Sequence, residues 1–83
     1  MMTSAQLKAA RALLEIDQKM LSELSGVSLT TIRRMEASSG TVRGNVDTLV
    51  KVIEALNEQG VEIINEHAES LDGGRGVRLK SQK

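Results

Sequence analysis

Capping residues and glycines cut the first sixty residues into four short helices, and this punctuation limits the fold more than any other feature of the chain. Thr3 and Gln6 have the spacing of a capping box, and Leu7, Ala10 and Leu14 follow at helical intervals with Leu13 beside them. Lys8 and Arg11 lie off that stripe. Asp17 suits the N-cap of a second helix over residues 18–25, with Met20, Leu21 and Leu24 as its apolar positions and Gly26 as its stop. Ser28 suits the cap of a third, over 29–37, with Ile32 and Met35 turned inward. Ser38-Ser39-Gly40 breaks the pattern, Gly44-Asn45 closes the loop, and one of that pair caps the fourth helix. Its stripe is Val46, Leu49, Val50, Ile53 and Leu56, and Gly60 ends it.

Beyond Gly60 the period changes from helical to alternating. Val61-Glu62-Ile63-Ile64 and Val77-Arg78-Leu79-Lys80 read as the strands of a hairpin, joined by the polar, glycine-rich stretch from Asn65 to Gly76. The expected fold is mainly α: a four-helix unit over residues 1–60, then a β-hairpin and tail over 61–83. With 83 residues there is room for one domain, and 40% apolar content supplies a modest aliphatic core.

Composition excludes much. The chain has no Cys, so disulfides, thiolate metal sites and thiol catalysis are ruled out. It has no Phe, Tyr or Trp, so bases cannot stack on aromatic platforms as in most single-strand binders. His67 is the single histidine and has no metal-binding constellation around it. Gly73-Gly74-Arg75-Gly76 does not open a helix and reads as a turn rather than a phosphate cradle. No nucleophile–base pair is visible, so neither an enzyme nor a cofactor is expected. With no long apolar run and no signal-peptide pattern, a cytoplasmic protein away from membranes is expected. Net charge is zero but uneven: residues 1–45 carry six basic and four acidic groups, residues 46–83 five and seven. Arg33, Arg34 and Arg43 concentrate positive charge in the first part.

Residues 18–36 carry the functional signal. Two short helices meet at a tight turn, with the small Ser22 at their closest approach and Gly26 where the backbone bends. Leu21, Val27, Ile32 and Met35 lock the crossing. These are the requirements of a helix-turn-helix, whose second helix enters the DNA major groove. On Gln18, Leu21-Ser22, Gly26-Val27-Ser28, Ile32 and Glu36, the segment resembles the phage repressor and Cro proteins and their bacterial relatives, the Xre family. The resemblance covers roughly residues 5–57. It departs from the common pattern at Ser22, where Ala is more frequent, at Asp17, where Ser or Thr is usual, and in a hairpin where relatives often have a fifth helix.

The resemblance implies that Gln18 contacts a phosphate and braces the recognition helix. Ser28, Leu29 and Thr30 open that helix, where base contacts concentrate. Ser28 suits both the N-cap and a phosphate, Thr30 can bond a base edge, and Leu29 either meets a thymine methyl or is a lone exposed apolar residue. Arg34 lies one turn beyond Thr30 and is the leading base reader, with guanine as its partner; Arg33 turns away toward a phosphate or Glu36. Thr31 is expected near the turn or the backbone. Ser39, Thr41 and Arg43 suit phosphate contacts, although a plain polar loop looks the same. The reading is a sequence-specific double-stranded DNA-binding regulator, a repressor or autoregulator acting on a palindromic operator. The alternative is an antitoxin or adaptor that keeps the fold for a protein partner. A homodimer is expected through Val61, Ile63, Val77 and Leu79 of the hairpin; otherwise the hairpin folds back on the fourth helix over Val50 or Leu56.

Overall fold

A computed structural model describes residues 2–38, 40, 42, 45–64 and 76–79. Its elements run α1 (Ser4–Leu14), α2 (Gln18–Ser25), α3 (Leu29–Ala37), α4 (Val46–Glu58), β1 (Val61–Ile64) and β2 (Gly76–Leu79).

Each helix starts where a side chain satisfies a free backbone N–H. The Thr3 hydroxyl accepts from the Gln6 N–H at 3.1 Å while Gln6 Oε1 accepts from the Thr3 N–H at 2.8 Å, completing the capping box. Asp17 accepts from the Met20 N–H, Ser28 from that of Thr31 and Asn45 from that of Thr48. The ends of α1 and α2 both use the left-handed region: Gly26 at φ 74°, which suits glycine, and Glu15 at φ 57°, which does not.

The core gathers Leu7 and Ala10 of α1, Leu21 of α2, Ile32 and Met35 of α3, and Val52 and Leu56 of α4, with Val61 of β1 beneath them. Met2 is fully buried and Val42 nearly so. Paired backbone bonds hold them there: the Val42 N–H donates to the Met2 carbonyl and the Ser4 N–H to that of Gly40, each at 2.9 Å. Neither residue belongs to a periodic stripe, so neither was expected inside.

Two helices are turned differently from their stripes. In α2 only Leu21 is buried, while Met20 and Leu24 are exposed. In α4, Leu49, Val52, Ala55 and Leu56 face inward, and Val46 and Val50 face solvent at 66% and 39% exposure. The apolar arc of α4 is wider than the face that α2 and β1 cover, and those neighbours take the side bearing Val52 and Ala55.

The hairpin is antiparallel, with Val61 opposite Leu79 and Ile63 opposite Val77. β2 begins at Gly76, one residue earlier than expected; Lys80, the connection with His67 and Gly73-Gly74-Arg75, and the tail lie outside the described residues. Both strands pack on α1, and β1 also on α4. The Gln6 amide fixes this docking by donating to the carbonyls of Ile64 at 2.8 Å and Gly76 at 3.1 Å. Of the residues expected at a two-fold interface, Val61 is taken up by the core of its own chain instead. Val61 is 1% exposed within its own chain, and Ile63 and Val77 pack against the same core. A hairpin this short is marginal alone, and its apolar face is satisfied by α1 and α4. Leu79 is left outside at 56% exposure.

Candidate nucleic-acid interface

The turn between α2 and α3 is tied by three serine-centred contacts. The Ser22 hydroxyl donates to the Val27 carbonyl at 2.6 Å, the Gly26 N–H donates to the Ser22 carbonyl at 2.9 Å, and the Val27 N–H donates to the Ser25 hydroxyl at 3.2 Å. Ser22 thus does more than provide a small side chain at the crossing: it satisfies a carbonyl inside the turn. Ser28 then starts α3, and its hydroxyl also donates to Thr31 Oγ1 at 2.9 Å, so Thr31 lies against the cap as expected.

Opposite faces of α3 have opposite environments. Ile32, Met35 and Glu36 are buried; Thr30, Arg33, Arg34 and Ala37 are exposed. Thr30 and Arg34 are one turn apart on the outer face. Leu29 is half-buried beside them. Neither Arg33 nor Arg34 has an ion-pair or side-chain hydrogen-bond partner among the described residues. Ser28 is exposed at the helix N-terminus, where backbone N–H groups and the helix dipole favour an anion.

The inner face is locked by charge. Arg11 Nε lies 2.6 Å from Glu36 Oε2 and Arg11 Nη2 lies 2.8 Å from Oε1, a two-pronged pair across α1 and α3. Arg11 Nη1 donates to the Ile16 carbonyl at 3.1 Å, and Gln18 Nε2 donates to Glu36 Oε1 at 3.1 Å. Three helices are thereby joined through one carboxylate that is 4% exposed. Burial pushes the Glu36 carboxyl up, but hydrogen bonds from Arg11 and Gln18, with the charges of Arg11 and Lys8, outweigh burial and hold it below its ordinary value. The hydrogen bond to Glu36 correspondingly raises Arg11, against its own burial.

Glu36 is therefore not a partner of Arg33, as sequence allowed: it follows Ile32 by four residues onto the buried face, while Arg33 points to solvent. Gln18 is half-buried at the first turn of α2, with its amide braced against α3 through Glu36. Ser39, Thr41 and Arg43 lie outside the described residues. Arg11, Glu36 as a buried anchor and the Ser22 hydroxyl bond were missed. Arg11 and Glu36 each sit four residues after a core residue, Leu7 and Ile32, and that spacing was the available signal.

Among the described residues no group of His, Asp and Glu has the arrangement to hold a metal ion, and no helix is long and apolar enough to cross a membrane. Two short helices crossing at a glycine turn, the second with a braced inner face and a cationic outer face, define a helix-turn-helix protein. A helix-turn-helix family model matches residues 7–63, well over half of the chain. The chain belongs to the Cro/C1-type, Xre-like helix-turn-helix family, a family of DNA-binding regulators rather than of enzymes, whose members act on double-stranded DNA. A comparison with curated proteins gives no match.

Proposed function

We infer that the protein is a sequence-specific transcriptional repressor or autoregulator that reads the major groove of a palindromic operator with α3. The observation that carries this reading is the outer face of α3: Thr30 and Arg34 share it, Arg33 flanks it, and neither arginine is engaged by the chain's own acids among the described residues. A guanidinium without an internal partner is available for the two-pronged bond to guanine that Arg makes in the major groove. Arg34 reads a base, Thr30 bonds a neighbouring base edge, and Leu29 contacts a thymine methyl. Gln18, Ser28 and Arg33 bond phosphates and set the register of the helix on the duplex, joined by Ser39, Thr41 and Arg43 of the following loop.

Gln18 supports this assignment. One of its amide hydrogens is held by Glu36, so the side chain reaches any phosphate already oriented, with less conformational entropy to lose. Asp17 works the other way, since its exposed carboxylate stands beside the same phosphate track. Zero net charge likewise leaves little long-range attraction. The consequence is weak nonspecific affinity and a specificity that depends on the α3 contacts.

The test is selection of bound fragments from genomic DNA, followed by titration of the recovered site across a salt series. A regulator recovers a palindrome and loses affinity steeply with salt. Recovery of no sequence, with salt-insensitive or absent binding, refutes the reading and favours an adaptor that acts through a protein partner.

A further inference from the structure

We infer that Lys8 of α1 binds a DNA phosphate next to the one taken by Gln18, so that α1 joins α2 and α3 in gripping the duplex. The inference rests on the α3 reading above and adds to it a contact from outside the helix-turn-helix.

The position of Lys8 follows from its neighbours. It stands one turn before Arg11 on α1, and that spacing puts both on one side of the helix. Arg11 marks this side as the one turned to α3, since its guanidinium holds Glu36 at 2.6 and 2.8 Å. The charge of Lys8 also reaches the Glu36 carboxylate and favours its ionised form. Glu36 in turn accepts from the Gln18 amide at 3.1 Å, so Lys8 and Gln18 approach the same carboxylate from α1 and α2. Arg33 lies one turn before Glu36 on α3 and extends this flank on the outer side. Ser4, one turn before Lys8, donates its N–H to the Gly40 carbonyl at 2.9 Å, so the chain leaving α3 passes the start of α1. Lys8 therefore sits between the backbone that follows α3 and the first turn of α2, along the flank where Gln18 and Arg33 are assigned to phosphates.

Lys8 is also uncommitted. It is exposed and has no ion-pair or hydrogen-bond partner among the described residues. The nearby Glu36 is already engaged by Arg11 and Gln18 and is 4% exposed, so the ammonium group stays in water just outside a satisfied pair. A lysine on a flexible stem meets a phosphate as a point charge with three donors. Asp17 sets a carboxylate on this same flank, and the chain has no net charge to compensate for it. A cation at position 8 offsets Asp17 locally. Phosphate contacts carry no sequence information, so Lys8 adds affinity and fixes register without adding selectivity.

The experiment is titration of the full chain, as parent, Lys8→Ala, Lys8→Arg and Lys51→Ala, against mixed-sequence genomic duplex DNA and against the fragment recovered by selection. Lys51 is an exposed lysine of α4, which packs on α2 and β1, and it controls for loss of a charge elsewhere. Lys8→Ala is expected to weaken both DNAs alike, by about three- to tenfold at low salt, and to lower the magnitude of the salt slope by about 0.9. The gap to the parent then narrows by about threefold between about 50 and 200 mM salt. Lys8→Arg is expected to restore binding, Lys51→Ala to leave the slope unchanged, and thermal melting of Lys8→Ala to match the parent, since the site is exposed and alanine is a good helix former. Neutralising the phosphates of the recovered fragment one at a time as methylphosphonates supplies a second readout. Lys8→Ala is expected to become indifferent to one of them per half-site, adjacent to the one to which Gln18→Ala becomes indifferent. An unchanged affinity and slope in Lys8→Ala, a loss confined to the selected fragment, or an indifferent phosphate remote from that of Gln18 overturns the proposal while leaving the α3 reading in place. A parent that binds neither DNA overturns both.

Discussion

Replacing Arg11 by methionine tests the polar lock behind α3. Methionine keeps much of the length of the side chain but removes both bonds to Glu36, at 2.6 and 2.8 Å, and the donor to the Ile16 carbonyl. Glu36 is then a carboxylate with 4% exposure and Gln18 as its remaining hydrogen-bond donor. Breaking a buried pair in this way costs about 3–5 kcal/mol, because the remaining charge loses compensation without regaining water. A domain of this size holds about 4–12 kcal/mol in total, so the variant is expected near the edge of folding. The pH dependence distinguishes this cause from general loss of packing. In the parent protein the Glu36 carboxyl lies below its ordinary value, so its contribution is present above the unfolded carboxylate range and is lost as pH falls through the folded value. Without Arg11, burial is opposed by Gln18 and Lys8 alone, so the carboxyl rises from its value in the parent. The variant therefore loses less stability than the parent as pH falls, and the gap between the two narrows between about pH 7 and pH 4. Urea unfolding of both proteins across that range measures the gap directly. The double variant Arg11→Met/Glu36→Leu removes the stranded charge and is expected to recover most of the loss at pH 7. A single-variant cost below about 1 kcal/mol, or a double variant no better than the single, refutes the reasoning.

Glu15→Gly is expected to stabilise the protein by a few tenths to about 1 kcal/mol, because Glu15 occupies the left-handed region at φ 57° where glycine has no Cβ penalty; thermal melting reads this. Val52→Ala is expected to cost about 1–3 kcal/mol and Val50→Ala about 0.5 kcal/mol or less, since the first is fully buried and the second 39% exposed; equal costs would contradict the orientation of α4. Arg34→Ala is expected to cost about 1–3 kcal/mol on the operator and to relax selectivity at one position per half-site, whereas Arg43→Ala weakens all sequences alike and lowers the salt slope, both measured by competition binding.

What sequence revealed and what it left hidden divides by the range of the interaction. The caps at Thr3, Asp17, Ser28 and Asn45 act within three residues of themselves, so α1, α2 and α3 begin and end where local chemistry dictates. The helix-turn-helix was legible for the same reason, as its small residue, glycine and apolar anchors all lie within one short stretch. The orientation of α4 was not, because its apolar arc offers two faces and only the positions of α2 and β1 choose between them. Met2 and Val42 are buried through backbone pairing between segments about forty residues apart, which leaves no periodic trace. Arg11 and Glu36 read as surface charges until the fold brings them together, although each falls at core spacing on its own helix. Of the interface, the outer face of α3 was legible from spacing alone, and the bracing of Gln18 through Glu36 was not.

The central claim is that the exposed face of α3 contacts bases while the Glu36 network holds its inner face fixed. Titration of the isotope-labelled full chain with the DNA fragment recovered by selection, followed residue by residue by NMR, tests this most directly. The account predicts that the largest changes fall at Gln18, Ser28, Leu29, Thr30, Arg33 and Arg34, including new hydrogen-bonded guanidinium signals from Arg34. Perturbations centred on α4 or the hairpin, with α3 unchanged at saturating DNA, would contradict it.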